Sequence, residues 1–423
     1  MEDINAAPAA PRALDGLRIL DLSRILAGPW ASQILADLGA EVIKVERPGR
    51  GDDTRSWGPP DVEDSDGENR GSAYFNSANR GKASVAIDIA SPAGQDVMRQ
   101  LAAKCDVVIE NFKKGDLDRY GLDYGRLCEV KPDLIYCSIT GFGQTGPYSE
   151  RAGYDFLLQA MGGLMSITGQ PEGQPGAEPM KVGVALTDVL TGLYAVIAIL
   201  AALRHRDATG EGQSIDLALM DVQVAALANQ AMNYLATGRS PSRLGNAHPN
   251  IVPYQAFAAS DGHLILAIGN DRQFKRFCEV AGRPELAENA RFKTNPDRVR
   301  NRAELVPILD ALIGGRSVRD WVETLSAASV PCGPVNTVEQ VFADPQVIAR
   351  GLRTEPVTSD GARVPGVGSP LALSKTPPSP PRAAPLLGEH TESVLRDVLG
   401  LAPDAIADFA KRGAFGADQE KDT

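Results

Sequence analysis

LRILDLSRILAGPWASQILADLGAEVIKVERP, residues 17 to 48, decides the fold. LRILDLS is an apolar run of strand length. In GPWASQILADLGA, Pro29 stands near the start of a helical pattern, in the first turn, where a missing N–H does no harm. EVIKVERP is a second apolar run. Strand, helix and strand in so short a span make a βαβ unit. The alternation continues with KASVAIDI (82 to 89), a helix over 92 to 104, DVVIENF (106 to 112), a helix over 123 to 131 and LIYCSIT (134 to 140). Such a chain is α/β, with a largely parallel twisted sheet and helices on both faces.

Further along the character changes. NIVPYQAFAASDGHLILAIG alternates and turns at Asp261-Gly262 like a hairpin, and helical patterns follow around 271 to 281, 302 to 313 and 316 to 328. This reads as a smaller α+β region, entered through a helical connector. The proline-rich stretch 375 to 391 reads as an extended connector.

Composition narrows the class. The chain has 423 residues, 43% of them hydrophobic, with a formal charge of −11 and a pI near 5.0. That is the profile of a soluble globular protein and not of a nucleic-acid binder. Five widely spaced cysteines without a C-x-x-C pair point to a reducing compartment, with neither a disulfide framework nor a zinc site. MEDINAAPAAPRAL has the features of neither a signal nor a transit peptide, and residues 1 to 13 read as a flexible leader. The apolar run over 189 to 203 falls short of the roughly 20 residues a membrane span needs. These features place the protein in the cytoplasm, without membrane or nucleic-acid partners.

Three features carry candidate chemistry. GFGQTG, residues 141 to 146, is a literal G-x-G-x-x-G after a strand. PYSER follows it instead of a helix, and the turn of the first βαβ unit lacks the glycine triplet, so neither nicotinamide nor flavin binding is expected. Arg47, Arg80, Lys82 and Arg119 lie near strand ends, either as a solvated surface or as a cluster around a polyphosphate such as that of coenzyme A (CoA). Asn111-Phe112 closes another strand, as a packing pair or as a grip on a pantetheine arm. Finally, GVALTDVLTGLYAVIAILAALRHR, residues 183 to 206, starts an apolar helix with Asp188. Asp188 is either a cap or a nucleophile. The helix N-terminus is expected to lower its pKa and keep it ionised. Gly183, Ala185 and Gly192 would leave room for a thioester.

A resemblance bears on this choice. LDLSRILAGPWASQILADLGAEVIKVERPGRGDDTR, NRGKASVAIDI, VIENFKKGDLDRYGLDY, SITGFGQTGPY, GYDFLLQAMGGLMSITG, VGVALTDVLTGLYA, TGEGQSIDLALMDV, GNAHPNIVPYQ, VPCGPVNT and PLLGEHT follow one another as the segments of class III CoA transferases do. The likeness runs from about Leu14 to Leu399. It implies a Rossmann-like large domain over 14 to 215, a linker helix over 216 to 235, a small domain over 236 to 335, and a return over 336 to 423. It also implies two subunits interlocked as a homodimer.

Carried over residue by residue, the resemblance makes Asp188 the nucleophile and puts Arg47 and Arg119 at the CoA phosphates. Ile87, Asn111 and Phe112 fall at the nucleotide and pantetheine, and Ile25, Leu26 and Ala27 at the sulfur. Gly141 and Phe142, heading the glycine loop, complete the candidate contacts. CoA enters as substrate, with no metal required. Leu26 and RLGNAHPN (243 to 250) depart from the formyl-CoA branch, which has a glutamine and a glycine run at these places. The related α-methylacyl-CoA racemases need a second base, a histidine where this chain has Tyr154. The expected reaction moves CoA from a donor, succinyl-CoA, to a small carboxylate or dicarboxylate through an aspartyl anhydride and an aspartyl-CoA thioester. Arg55 or Arg243 would meet a second carboxylate and His248 the acceptor, while Gly141 to Gly146 and Gly245 to Asn250 would cover the intermediates. A racemase and a non-catalytic CoA-binding protein are the alternatives.

Overall fold

The computed structural model describes residues 11 to 416, so positions 1 to 10 of the expected leader lie outside the described residues. The chain divides into two compact units. One comprises residues up to Gly163, Gly183–Ala228 and Gln346 onward; the other comprises Leu164–Val182 and Asn229–Pro345.

The first unit is built on six strands: β1 (Arg18–Asp21), β2 (Glu41–Glu46), β3 (Ala83–Ala86), β4 (Val107–Glu110), β5 (Ile135–Thr140) and β6 (Gln213–Ala218). Their order across the sheet is β3-β2-β1-β4-β5-β6. Every pairing is parallel. This is the doubly wound dinucleotide-fold order, in which the direction of winding reverses between β1 and β4.

Side chains alternate along the buried strands, so both faces of the sheet are apolar. Ile19, Val107, Ile109, Ile135, Cys137 and Ile139 face one core, together with helices α1 (Ala27–Asp37) and α5 (Leu186–Thr209). Leu20, Ile43, Val45, Val108 and Tyr136 face the other, with α2 (Pro92–Ala102), α3 (Tyr124–Val130) and the helix Thr391–Leu399. Between α3 and α5 lies the short α4 (Asp155–Met161), and α6 (Leu219–Ala226) follows β6. The proline-rich segment runs without regular structure along this unit, where Ser379 N–H donates to Asp37 O at 2.6 Å and His390 N–H to Ser84 O at 2.9 Å.

The second unit has a three-stranded antiparallel sheet, Tyr254–Ala258, His263–Ala267 and Cys332–Pro334. It packs on helices Asp271–Val280, Arg302–Ile313 and Val318–Ala327 around Phe257, Phe274, Phe277 and Trp321. Its first segment, Leu164–Val182, comes from the middle of the first unit's sequence, which periodicity alone does not reveal.

α5 has 24 residues and by length and composition is apolar enough to cross a membrane, but half of that apolar stretch is buried in the fold. Its buried residues include Asp188, Thr191, Gly192, Ala195, Val196, Ile199 and Leu203, a stripe at helical spacing. Gly192 is where α1 crosses. A Cβ there would lie 2.8 Å from Ala27 O and 3.0 Å from the Trp30 ring. The room expected at Gly192 for a thioester is therefore filled by the neighbouring helix. Gly192→Ala should lower stability by about 1–3 kcal/mol through overpacking. Gly183→Ala, whose Cβ meets nothing within 4 Å, should stay within roughly 0.5 kcal/mol of the parent. Urea unfolding of the two variants checks the contrast.

Candidate active site

Ligands of doubly wound sheets bind outside the carboxyl ends of the strands, where the winding reverses. Here that place lies between the turn after β1, which carries Ile25, Leu26 and Ala27, and the end of β4, followed by Asn111 and Phe112. Two cavities meet there. The larger, 1040 Å³, is lined by Arg24, Arg47, Ile87, Phe112 and Arg119 among others. The smaller, 190 Å³, is lined by Ile25, Leu26, Ala27, Asn111, Phe112, Gly141, Tyr154 and Asp188 among others. Arg24, Phe112 and Asp116 line both. Eleven of the residues singled out from the sequence, Tyr154 among them, thus border one crevice. Phe142 lines neither cavity. Its ring packs on the core beneath β5 and lies 5.5 Å from that of Tyr148.

The cations divide sharply. Arg47 is exposed and has no carboxylate partner among the described residues. Arg119 is exposed, 3.7 Å from Asp116. Arg80 and Lys82, grouped with them from the sequence, are not available to a ligand. Arg80 forks onto Asp37, and Lys82 is fully buried, with its Nζ 3.2 Å from Asp21 and 2.9 Å from Pro29 O. Burial pushes the Lys82 amine down to about 7 against the pull of Asp21. Arg55, a sequence candidate for a second carboxylate, donates to both oxygens of Glu46 at 2.7 Å and stacks on Phe75. Arg243 and His248 belong to the second unit. There Arg243 donates to Gln170 O at 3.1 Å, and the His248 ring lies 5.4 Å from that of Tyr254.

Asp188 occupies the first turn of α5 but does not cap it. Asp155, from the start of α4, accepts from Thr187 N–H at 2.8 Å and Asp188 N–H at 3.4 Å. Gln159 Nε2 donates to the other Asp155 oxygen at 2.8 Å. Thr187 Oγ1 is tied to Gln223 Oε1 at 2.7 Å. With the helix end satisfied by another acid, the Asp188 carboxylate has no hydrogen-bond donor or cation among the described residues. It is 9% exposed and borders the smaller cavity. Burial, and then the charge of Asp155, push its pKa up to about 7. The lowered pKa expected from the macrodipole is thus overturned, because Asp155 holds the N–H groups that would have stabilised the charge. An unpaired, poorly hydrated carboxylate at the wall of a cavity is a nucleophile or base in search of a substrate.

Seven further residues contribute that no sequence signal singles out. Asp155 stands in the quoted segment GYDF, but nothing in one sequence says that it caps a helix some thirty residues on. Lys113 and Arg151 line the smaller cavity without a carboxylate partner among the described residues. Ala410, Phe415 and Gly416 close one wall of the larger cavity from the far end of the chain. Tyr74 feels the charges of Asp188 and Asp155, and burial with those charges raises its pKa. No group of three or more metal-ligating side chains occurs among the described residues.

Comparison with known proteins adds to the geometry. A model of CoA-transferase family III matches residues 14 to 391. Succinate–glutarate CoA-transferase of Agrobacterium fabrum is 53% identical over 91% of this chain and 95% of that protein. Human succinyl-CoA:glutarate CoA-transferase is 45% identical over 95% and 90%. The crystal structure of a CAIB/BAIF family protein from Brucella suis is 52% identical, with a TM-score of 0.81 covering 92% of this chain and 100% of that one.

The raised pKa of Asp188 has a signed consequence for stability. A carboxyl that holds its proton more tightly in the fold than in the unfolded chain favours the fold in acid, and that contribution is lost as pH rises through about 7. Asp188→Asn, neutral at every pH, should therefore match the parent near pH 4 and exceed it at pH 8, by on the order of 1–3 kcal/mol. Thermal melts across that range check it. A melting difference that does not grow with pH contradicts the raised value.

Proposed function

We propose, from the premise that the chain belongs to CoA-transferase family III, that it moves CoA from succinyl-CoA to a small dicarboxylate, glutarate first among them, with Asp188 as the covalent nucleophile. The observation that carries the mechanism is the buried carboxylate of Asp188, without a donor among the described residues, at the wall of a crevice whose larger part bears the exposed Arg47 and Arg119.

The larger cavity lies at the upper end of the roughly 300–1,000 Å³ usual for ligand pockets. It would take the nucleotide and phosphates of CoA against Arg47 and Arg119, with Ile87 and Phe112 along the arm. The smaller cavity would take the acyl group. An Asp188 oxygen attacks the thioester carbonyl carbon, the C–S bond breaks, and CoA leaves as thiolate, giving a succinyl–aspartyl anhydride. The thiolate attacks the aspartyl carbonyl and succinate departs with the bridging oxygen. The acceptor carboxylate attacks the resulting aspartyl–CoA thioester and expels the thiolate. The thiolate then takes the acceptor acyl group and frees Asp188. Proton count is unchanged through the cycle, so the carboxylate needs only to be ionised at the outset, which near neutral pH is true of roughly half the molecules. Poor hydration of that charge favours attack.

A dicarboxylate brings a second negative charge. With Arg55 committed to Glu46, the cations lining the acyl cavity without a carboxylate partner among the described residues are Lys113 and Arg151. Arg151 is preorganised by stacking on Tyr148 at 4.6 Å and Phe142 at 5.3 Å. It is the better fit to a carboxylate. Phe142 then serves as the platform for that arginine and not as a direct CoA contact. The racemase reading lacks a second strong base, since Tyr154 holds that place. The protein is further read as an interlocked cytoplasmic homodimer. Leu193, Tyr194, Ile197 and Leu200 leave an apolar stripe exposed on α5, which a second copy would cover.

Two measurements test the reading. Incubated with succinyl-CoA and glutarate, the protein should yield glutaryl-CoA and an acyl-enzyme trapped by hydroxylamine. Asp188→Ala should lose at least about 1,000-fold in rate and the trapped species with it. Arg151→Met should lower kcat/KM for glutarate by about 10- to 100-fold, the worth of a charge-assisted hydrogen bond. The same variant should treat pentanoate, which lacks the distal carboxylate, as the parent does. Equal losses for both acceptors would remove Arg151 from the assignment.

A further inference from the structure

Ile25 adopts φ 71°, inside the left-handed region, where a β-branched side chain is a genuine outlier. The other described non-glycine residues at positive φ are Ala228 and Ser329, neither of them β-branched. Such a conformation persists only where its surroundings over-determine it. At Ile25 they do. Ile25 N–H donates to both oxygens of Asp52, at 3.2 Å each. The preceding residue is held on both its backbone groups, Arg24 N–H donating to Asn111 Oδ1 at 2.9 Å and Asn111 Nδ2 donating to Arg24 O at 2.7 Å.

Asp52 is itself immobilised. Lys44 Nζ lies 2.9 Å away, both side chains fully buried, and Thr54 donates from N–H at 3.0 Å and Oγ1 at 2.8 Å. Lys44 Nζ also donates to Ser23 O at 3.0 Å. The ion pair therefore grips the turn after β1 twice, at the Ser23 carbonyl through its cation and at the Ile25 amide through its anion. Beyond the grip, Leu26 and Ala27 N–H find no acceptor among the described residues, and Ile25, Leu26 and Ala27 border the cavity that holds Asp188. Two buried charges placed under a turn stabilise little by themselves against burying apolar groups in their place. Their arrangement makes sense as a means of fixing geometry.

We propose that the buried Lys44–Asp52 pair is a positioning device for the acyl-transfer site, locking Ile25 in the left-handed conformation so that the Leu26 and Ala27 backbone is presented to the reacting group beside Asp188. Lys44 and Asp52 lie behind the wall of the larger cavity with fully buried side chains; they act through the turn. The inference rests on the acyl-transfer reading of this cavity.

The test compares Asp52→Asn with the double variant Asp52→Asn/Ile25→Gly. Asp52→Asn weakens the grip and lets Ile25 leave its disfavoured region, so kcat should fall by about 10- to 100-fold, the effect of misplacing a catalytic group by roughly 1 Å. KM for succinyl-CoA should change by less than about threefold, because Arg47 and Arg119, the cations assigned to the phosphates, make no ion pair with Asp52 among the described residues. Glycine enters the left-handed region without the Cβ penalty, so the double variant should recover about tenfold in kcat over Asp52→Asn alone. A merely structural ion pair would give no such recovery. An undiminished kcat in Asp52→Asn, or a double variant no faster than the single one, overturns the proposal.

If Asp52→Asn does not fold, Thr54→Val, which deletes only the hydroxyl that braces Asp52, carries the same test, with a kcat loss of about fivefold and the same recovery on adding Ile25→Gly. A crystal structure of whichever variant folds decides the conformational half without any assay. Ile25 should leave positive φ, and its staying there contradicts the locking role. A parent protein that transfers no CoA at all would defeat the functional reading instead, while that structure still judges the clamp.

Discussion

The reversal of strand order between β1 and β4 is the constraint on which the rest of the molecule depends. In a parallel sheet each crossover must pass over one face, and where successive crossovers change face the turns at the strand ends part. The parting leaves a crevice bordered by exposed backbone, and Asp188 and every candidate CoA contact carried over from the family resemblance borders it, Phe142 excepted. Below it the sheet carries charges that a parallel core would ordinarily exclude: Asp21, Lys44, Glu46, Asp52 and Lys82 are all buried. They survive there because each has a partner. Asp21, Glu46 and Asp52 stay below the usual carboxylate range, since the lysines and Arg55 outweigh the penalty of burial. Glu110, at the end of β4, is the exception in the sheet, pushed up to about 7 by burial; at the smaller cavity the carboxylate left without a cation among the described residues is Asp188.

Two aspartates at one helix end divide the labour. Asp155 takes N–H groups at the start of α5, and Asp188, relieved of that role, is left with little solvent and with no donor among the described residues. Its burial follows from register. Counting from Asp188, Gly192, Ala195, Ile199 and Leu203 continue the stripe that faces the core, so the helix carries the acid inward along with its apolar neighbours. Like charge and desolvation then act in the same direction on its proton.

Much of this was legible in the amino-acid order, and the failures have physical causes. Five of the six strands and the helices between them follow from alternation and from Pro29 and Pro92 near helix starts, because those signals are local, whereas β6 ends inside the stretch 216 to 235 expected as a linker helix. The candidacy of Asp188 was legible from its place before an apolar run. The sign of its pKa shift was not, because it depends on which acid reaches the amides, and Asp155 arrives from another helix. Arg80 and Lys82 looked like Arg47 and Arg119 because basic residues near strand ends look alike. Only their partners, Asp37 and Asp21 on elements far off in sequence, separate those that brace the fold from those free to meet a phosphate. Gly192 illustrates the same limit, a small residue that admits a helix and not a ligand. The inclusion of Leu164–Val182 in the second unit leaves no periodic trace at all.

One wall of the larger cavity comes from Ala410, Phe415 and Gly416, held against the sheet where Asp88 N–H donates to Ala414 O at 2.8 Å. The opposite wall begins at Leu22. A ribosome releases these two walls far apart in time, so a nascent chain carries a half-built cleft until Ala410, Phe415 and Gly416 have emerged. A ligand that needs both walls must therefore wait for the docking of that late segment.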